Sequence, residues 1–531
     1  MQRVMKLVIA LCVGWLALAG VGVAHAKTNG SGTADHSKFK ELQKDFQSGP
    51  EVTKACLACH TEASKQVMHT QHWKWDFTNP KSQQKLGKRH VVNNYCTSAS
   101  SNFHACATCH VGYAAMTDKG VIEEEERVDC LACHTTIGYT KPTGLGGNVV
   151  GKDIEFPPGS GKTIRGQNLQ KIAQSVGKTS RKTCGNCHFM GGGGDGVKHG
   201  DLDSSLEDPD KQLDVHMDAD GLNFTCATCH QTDGHQVPGS RYAPTAVDKE
   251  GAIIRGKGGE RNPATCQACH GQKPHKEKQA AKLNNHTNKL ACQVCHVPAY
   301  ARGGIATKTA WDWSTAGKRD EKTGKPLEVK DEDGHKIYQG HKGDFKYGEN
   351  VKPDYIWFNG DVKYTLIDEK VDKTKEPIYI NKYLGSANDG RSMIWPVKTF
   401  RGKQAFDPEN QTLVVTQLAG MNNTAYWTNL NWENAIAAGM KAVNLPFSGK
   451  VDFIETVSEW PITHMVAPKE KAVGCNECHT KGGRLDKVEG IYIPGRDNIP
   501  WLDNGVKLLA LLTLLGMIGH GVLRIITSKK H

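Results

Sequence analysis

Sixteen of the chain's 18 cysteines form eight Cys-x-x-Cys pairs, and a histidine directly follows every pair. In chain order, motifs 1 to 8 are Cys56, Cys59 and His60; Cys106, Cys109 and His110; Cys130, Cys133 and His134; Cys184, Cys187 and His188; Cys226, Cys229 and His230; Cys266, Cys269 and His270; Cys292, Cys295 and His296; and Cys475, Cys478 and His479. In such a motif the two thiols add to the vinyl groups of a haem, and the histidine becomes the proximal iron ligand. Neither zinc ribbons nor disulfides require the adjacent histidine. The sequence therefore predicts eight covalently bound haem c groups in an octahaem c-type cytochrome.

The composition is typical of a globular protein whose interior is not filled by side chains alone. Hydrophobic residues make up 38% and aromatic residues 7% of the 531 residues, which is little for a core of this size. Residues 27–505 amount to about 60 residues for each motif, too few for a separate domain around each haem. We therefore expect the haems to pack near one another as the apolar interior. The net charge of +11 requires no nucleic acid, because haem propionates would offset much of it.

The beginning of the chain is typical of a secretory signal peptide. Residues 1–26 contain a basic start with Arg3 and Lys6, an apolar stretch, and Ala-His-Ala at the predicted cleavage site. Cys12 would leave with this segment. An uncleaved anchor is the alternative interpretation.

The end of the chain predicts a membrane anchor. Residues 506–526 form an apolar run of about the length that crosses a bilayer, and the two lysines in residues 527–531 favour a cytoplasmic tail. His520 and Arg524 interrupt the run; they either lie at the membrane interface or contact a membrane partner's cofactor. We therefore place the body of the protein at the periplasmic face of the bacterial inner membrane.

Between these ends, the motifs divide the chain. Residues 27–300 hold motifs 1 to 7, residues 301–474 hold none, and residues 475–505 hold motif 8 and a linker. Within the motif-free insert, residues 355–358 and 362–366 are predicted strands, and residues 432–443 are a predicted amphipathic helix. The insert could be a lid, a docking surface or packing over the haems. The predicted fold is a multihaem cytochrome c, mainly α-helix and irregular loops around eight haems with little β structure, plus one C-terminal transmembrane helix.

The remaining histidines are candidates for the distal iron ligands. Of 24 histidines, eight are proximal, and His25, His520 and His531 lie in the terminal segments, which leaves 13. This number permits a distal histidine at every haem and does not reveal an unusual site. The better candidates lie near motifs or in turns framed by Gly or Pro; they are His72, His90, His199, His216, His235, His275, His286 and His464. His335 and His341, in the polar insert, are weaker candidates.

Two further features do not fit a simple electron wire. Cys96 is an unpaired thiol ten residues before motif 2, either buried and inert or able to react with substrate. Residues 191–200 (GGGGDGVKHG) follow motif 4, and their glycines would let the backbone approach a flat cofactor. Taken alone, the lysine in this loop would be an ordinary solvated residue.

These segments resemble the octahaem tetrathionate reductases, a family of periplasmic multihaem cytochromes. The resemblance covers most of residues 48–300 and continues through motif 8. It is carried by residues 48–52 (SGPEV), 68–73 (MHTQHW), 87–96 (GKRHVVNNYC) and 195–201 (DGVKHGD). The set of segments is specific, whereas each one alone is not.

The resemblance implies that the haem of motif 2 is catalytic and that the amine of Lys198 is its distal ligand. It also implies a pocket lined by Cys96, Asp195 and Asn93, with the other seven haems as bis-histidine relays. The C-terminal membrane helix departs from the soluble members, and it implies a membrane cytochrome b or another quinol dehydrogenase as electron donor.

Three functions are compatible with these residues. The first is a terminal reductase of sulfur or nitrogen oxyanions, with tetrathionate, nitrite or hydroxylamine as substrate; a displaceable lysine ligand would open the site, and a cationic pocket would suit the anions tetrathionate and nitrite. The second is a non-catalytic electron conduit with bis-histidine ligation throughout. The third is a hydroxylamine or hydrazine oxidoreductase. The sequence favours the reductase.

Overall fold

The computed structural model describes residues 33–95, 97–117, 119–248 and 264–528. The predicted signal segment, Cys96 and the last three residues of the predicted tail lie outside the described residues. The described chain has three consecutive parts: short helices and loops that carry motifs 1 to 7, a large sheet, and motif 8 followed by a long C-terminal helix.

The first part contains short helices, most of which overlap a motif. They are α1 (Gly49–Leu57), α2 (Ala63–Met68), α3 (Gln71–Lys74), α4 (Phe103–Cys106), α5 (Leu131–His134), α6 (Leu169–Gln174), α7 (Arg181–His188), α8 (Cys226–Cys229), α9 (Cys266–His270), α10 (Ala280–His286) and α11 (Cys292–His296). Three two-stranded ribbons lie among them: β1 (Phe77–Thr78) with β2 (Lys85–Leu86), β3 (Met116–Thr117) with β4 (Gly120–Val121), and β5 (Ile154–Glu155) with β6 (Thr163–Ile164). Helices this short are unstable in isolation, so tertiary contacts must hold them.

Local capping fixes where α7 begins. The Ser180 hydroxyl accepts a hydrogen bond from the Thr183 N–H at 3.1 Å, and the Thr183 hydroxyl accepts one from the Ser180 N–H at 2.9 Å. This reciprocal capping box starts the helix one turn before motif 4. The two cysteines and the histidine of that motif therefore lie on a regular helix.

The second part is a ten-stranded sheet. Its strands are β7 (Thr307–Asp312), β8 (Glu328–Lys330), β9 (Lys336–Gln339), β10 (Gly343–Gly348), β11 (Asp354–Phe358), β12 (Asp361–Tyr364), β13 (Ile378–Leu384), β14 (Met393–Asp407), β15 (Thr412–Leu413) and β16 (Asp452–Pro461). The strand order is β12-β13-β16-β14-β7-β10-β9-β8, with β11 and β15 also paired to β14. Most pairs are antiparallel, whereas β13 with β16 and β14 with β7 are parallel.

The sequence prediction of little β structure is therefore wrong. The two predicted strands correspond to β11 and β12, but the central strand β14 was missed. Most of β14 is buried, and polar residues such as Lys398 and Gln404 lie among its buried positions. A strand covered on both faces shows no polar–apolar alternation, which is the pattern used to recognise strands from sequence.

Two helices follow β14 and β15 in this region. They are α12 (Tyr426–Asn429) and α13 (Trp432–Ala442), and α13 lies where the sequence predicts an amphipathic helix. The buried residues of α13, including Ile436 and Met440, pack on Val415 and neighbouring side chains. The helix therefore covers part of the sheet.

An aromatic cluster joins the sheet to the first part of the chain. Tyr95 and Val197 pack with Trp311, Phe400 and Trp460 of the sheet. Asn94 adds a hydrogen bond to Thr456 at 3.0 Å, and Trp313 donates to the Asn94 carbonyl at 2.8 Å. The insert is thus packed over the segments before motif 2 and after motif 4.

The chain ends in α14 (Cys475–Cys478), which overlaps motif 8, and α15 (Pro500–Ser528). Helix α15 has 29 residues; its most apolar 18-residue stretch has a mean hydropathy of 1.9, and none of the residues in that stretch is buried. At 1.5 Å per residue it is about 43 Å long. It contains the predicted span 506–526 and is long and apolar enough to cross a membrane.

Candidate redox centres

Seven of the eight proximal histidines face a second histidine ring. The distances between ring centres are 6.4 Å for His36 and His60, 6.1 Å for His72 and His188, 6.4 Å for His134 and His235, 5.9 Å for His216 and His270, 6.5 Å for His230 and His464, 6.3 Å for His275 and His296, and 6.1 Å for His286 and His479. Two imidazole nitrogens at about 2 Å on opposite sides of one metal ion place the ring centres about 6 Å apart. Each pair therefore has the spacing of two axial ligands of one iron.

Hydrogen bonds orient several of these rings. The Nδ1 atoms of His134, His230 and His479 lie 2.9–3.0 Å from the carbonyl oxygens of Gly177, Pro238 and Pro494, respectively. A ring that donates from Nδ1 to a carbonyl keeps Nε2 deprotonated and available to a metal. The surrounding backbone thus selects the tautomer that an iron ligand requires.

The proximal histidine of motif 2 has a different environment. His110 packs against Trp73 and Trp75 with ring centres 5.3 and 5.1 Å apart, and no described histidine faces it. Its Nε2 lies 2.7 Å from the Trp73 carbonyl oxygen, while its buried Nδ1 has no hydrogen-bond partner among the described residues. Burial lowers the pKa of His110 to about 4 and keeps the ring neutral, but its Nε2 donates to the Trp73 carbonyl, the opposite tautomer to that of His134, His230 and His479.

A continuous cavity of about 2890 Å³ connects motifs 1 to 5. All ten cysteines of these five motifs line it, together with Lys198 and Trp460. Protein interiors are close-packed, and an ordinary ligand pocket measures about 300–1,000 Å³. The cavity therefore has the size and the cysteine lining expected for several large apolar cofactors attached side by side.

Contacts between cysteines show which motifs are neighbours. Hydrogen-bonding contacts join the side chains of Cys56 and Cys130, Cys109 and Cys187, Cys184 and Cys226, and Cys266 and Cys292. At longer range, the charge of one thiol raises the pKa of the other in the pairs Cys133 and Cys184, Cys229 and Cys269, and Cys295 and Cys478, so these thiols lie near one another. The motifs therefore adjoin in the order 1-3-4-5-6-7-8, and motif 2 adjoins motif 4 as a branch.

The loop that carries Lys198 lies on the sheet. The Nζ atom of Lys198 is 4.4 Å from the ring centre of Trp460 and 5.8 Å from that of Tyr95. Beneath it, the fully buried Lys398 of β14 donates hydrogen bonds at 3.0 Å to the carbonyl oxygens of both Val197 and Lys198. This loop and motifs 2 and 4 line one cavity.

Comparisons with known proteins agree with these centres. A crystal structure of an octahaem cytochrome c from Shewanella oneidensis is 36% identical, has a TM-score of 0.74, and matches 86% of this chain and 96% of that one. This chain belongs to the multihaem c-type cytochromes. The family model "Cytochrome c bacterial" matches residues 308–482. An uncharacterised protein of Archaeoglobus fulgidus is 24% identical over 301 residues, which are 48% of this chain and 99% of that protein.

The cytochrome brings six of the eight predicted distal candidates opposite a proximal histidine. They are His72, His216, His235, His275, His286 and His464. The other two lie elsewhere: His90 Nε2 is 3.2 Å from the Asp76 carboxylate, and the His199 ring lies against Trp460 at 5.3 Å. His36, which faces His60, was not among the candidates; it lies 20 residues before motif 1.

The other predicted pocket residues occupy defined positions in the cytochrome. Asn93 lines the cavity and accepts a hydrogen bond from the Tyr95 N–H at 2.9 Å. The carboxylate of Asp195 accepts hydrogen bonds from the backbone N–H and the hydroxyl of Ser204. These contacts make Asp195 part of the framework of the Lys198 loop. Cys96 lies outside the described residues.

Two cations in the cavity were not predicted from the sequence. Lys88 lies 4.4 Å from the ring centre of Trp75 and contributes to lowering the pKa values of His110 and His188. The Arg241 guanidinium lies 5.9 Å from the Trp460 ring, on which Lys198 also lies. Both line the same cavity as Lys198. An arginine and a lysine far apart in sequence give no local pattern, so only the fold brings them together.

We expect the His36→Ala variant to convert one low-spin haem into a high-spin haem, because the ring that faces His60 is lost. The matched control is His90→Ala, which removes a histidine that faces no proximal ligand. Electron paramagnetic resonance of the oxidised protein measures both. Equal low-spin signals in His36→Ala and the unmodified protein would contradict the pairing.

We expect Lys398→Met to destabilise the Lys198 loop by about 1–3 kcal/mol, because buried carbonyl groups lose their donor. Denaturant unfolding and proteolysis of the 191–200 loop measure this effect. Lys403→Met, on the same strand but half-buried, is the control and is expected to leave both unchanged. Unfolding midpoints that coincide for the two variants would show that Lys398 does not hold the loop.

Proposed function

We propose that this cytochrome is a terminal reductase of small sulfur or nitrogen species, with tetrathionate, nitrite and hydroxylamine as candidate substrates. The observation that carries the proposal is His110, the one proximal histidine that no described histidine faces. Seven paired centres are suited to relaying electrons, whereas a centre without a histidine on its distal side is suited to binding substrate. The proposal assigns catalysis to motif 2 and eight covalent haems to the eight motifs.

The chain's own residues give this centre its proposed chemistry. When bound, the haem of motif 2 would supply electrons to a substrate at its distal side. Lys198 is the proposed distal ligand, and an amine must lose its proton to bind iron, so substrate and protons compete with it. Lys88 and Arg241 also line the cavity and favour an anionic substrate through their positive charge. Asn93 is proposed to contact the substrate, and Asp195 to fix the loop.

For the electron supply, the order of adjoining motifs supports a route from the membrane. Motif 8 is 21 residues before α15, so it is the motif nearest to the predicted anchor in sequence. From there the adjoining motifs run 7, 6, 5 and 4, and motif 2 branches from motif 4. We propose that a membrane quinol-oxidising partner, such as a cytochrome b, delivers electrons to motif 8 at the periplasmic face of the inner membrane. Motif 3 adjoins motif 4, and motif 1 adjoins motif 3, so neither lies on the proposed route from motif 8 to motif 2.

An electron conduit is the alternative function. The unbroken series of adjoining motifs from 8 to 1 favours it, because such a series could pass electrons across the whole protein to a second partner. A hydroxylamine or hydrazine oxidoreductase would use the same centres in the opposite direction. Small-molecule turnover distinguishes the conduit from both enzymes.

We expect the fully reduced protein to be reoxidised rapidly by at least one of tetrathionate, nitrite and hydroxylamine, and Lys198→His to abolish this. Histidine would bind the iron more firmly than the amine and close the site. Stopped-flow spectroscopy on the detergent-solubilised protein measures the reaction, with the exposed Lys171→His as control. Haems that stay reduced with all three substrates, yet reoxidise with a small redox dye, would establish the conduit.

Cys96 is proposed to react with tetrathionate. Its thiolate would attack the central S–S bond, forming a mixed disulfide and releasing thiosulfate; two electrons would then release a second thiosulfate and restore the thiolate. We expect Cys96→Ser to lower tetrathionate turnover and to leave hydroxylamine turnover unchanged, since hydroxylamine has no S–S bond. Steady-state turnover with both substrates measures this. Unchanged tetrathionate turnover would remove the role.

A further inference from the structure

A buried carboxylate contacts one of the paired histidines. Asp201 is 2% exposed, and its Oδ2 lies 3.1 Å from Nδ1 of His464, the ring that faces His230 of motif 5. The same oxygen accepts hydrogen bonds from the N–H groups of Thr463 at 2.8 Å and His464 at 3.1 Å. The Thr463 hydroxyl also lies 3.1 Å from Nδ1. If Nε2 of His464 binds iron, its Nδ1–H points to this carboxylate.

Seven other paired histidines have a neutral or more distant partner at Nδ1. Nδ1 contacts a backbone carbonyl in His134, His230, His286 and His479, and a side-chain amide oxygen in His235 and His275. A second buried carboxylate, that of Asp214, lies 3.8 Å from Nδ1 of His216, beyond hydrogen-bond distance. Among the paired rings of the described residues, the short contact to a carboxylate is therefore found at His464.

We propose that Asp201 is a positioning residue that lowers the reduction potential of the haem at motif 5 below the potentials of the haems at motifs 4 and 6. The proposal rests on the ligand pairing of His230 with His464, and it does not depend on the identity of the substrate. It assigns Asp201 a tuning role that is separate from binding or converting a substrate.

The physical cause is the shift of charge through the imidazole. A carboxylate that accepts the Nδ1 proton makes the ring a stronger donor of electron density to the metal, which stabilises the more highly charged oxidised iron. The carboxylate stays charged because it accepts backbone N–H bonds, and it acts strongly because burial limits solvent screening. A backbone carbonyl has the same geometry but no net charge, so its effect is smaller.

The position of motif 5 gives this tuning a consequence. The thiols of Cys184 and Cys226 place motif 5 beside motif 4, and Cys269 of motif 6 lies near enough to Cys229 to raise its pKa. A haem of low potential at this position separates motifs 6 to 8, on the membrane side, from motifs 1 to 4, on the substrate side. Electrons would then cross to the substrate side chiefly when the membrane-side haems are largely reduced.

The test is a spectroelectrochemical titration of the full-length, haem-loaded protein in detergent, followed by electron paramagnetic resonance. His464→Ala identifies the signal of the motif 5 haem by its loss. For Asp201→Asn, we expect that signal to stay low-spin while its oxidised-to-reduced ratio at a fixed potential falls about tenfold, a rise of ~59 mV for a one-electron couple. An unchanged midpoint potential overturns the proposal. Retention of all low-spin signals in His464→Ala overturns the pairing instead.

Two further measurements distinguish tuning from structural support. Asp214 also holds this segment, because its Oδ2 accepts a hydrogen bond from the Val466 N–H at 3.0 Å. Asp214→Asn should therefore shift the motif 5 haem much less than Asp201→Asn, and an equal shift would contradict a specific role. The signals lost in His72→Ala and His216→Ala identify the haems of motifs 4 and 6, whose potentials are then measured in the unmodified protein. A motif 5 potential at or above both of theirs overturns the proposal even if Asp201→Asn fails to fold.

Discussion

The spacing of two imidazole rings on either side of one iron is the constraint on which the rest of this structure depends. Seven pairs of histidines lie with ring centres 5.9–6.5 Å apart, although the members of most pairs are far apart in sequence. Each pair brings two segments of chain together at the spacing that two ligands of one iron would have. The short helices need this support, because helices of four to nine residues are unstable alone. Cofactor attachment and tertiary folding are thus expected to be one process.

The motif-free insert, residues 301–474, packs on the segments beside motif 2, the motif whose histidine faces no second described histidine. Where two imidazoles hold a haem, the ligands themselves join the segments around it. Near motif 2 the sheet provides this support. Lys398 donates hydrogen bonds to two carbonyl groups of the Lys198 loop, and the Thr307 hydroxyl donates one to the Gly196 carbonyl at 2.6 Å. Strands β14 and β16 pair over ten residues, which makes the platform stiff. The lysine ligand proposed at this centre would need such support of its backbone, because an amine would bind iron less firmly than an imidazole.

The sequence predicted the chemistry of this protein better than its architecture. The motifs are local, so the cofactor type, the proximal histidines and the apolar C-terminal helix follow from spacing and composition. Distal ligands are not local, and candidates chosen by their nearness to a motif included His90 and left out His36. The buried strand β14 has no alternation that could predict it. Asp201, Arg241 and Lys398 are ordinary charged residues in the sequence, and only burial against specific partners gives them a role.

The order of the motifs in space divides the protein into two regions. Motifs 5 to 8 adjoin one another in sequence order, so this part of the chain forms a simple line towards α15. Motifs 1 to 4 adjoin in the order 1-3-4, and among the described contacts the catalytic centre proposed at motif 2 adjoins motif 4. Along this order, an electron that enters at motif 8, as proposed, would pass motif 5 before it reaches motif 4. Because motif 5 lies on this proposed route, the environment of His464 would set the reduction potential that electrons meet on their way to motifs 1 to 4.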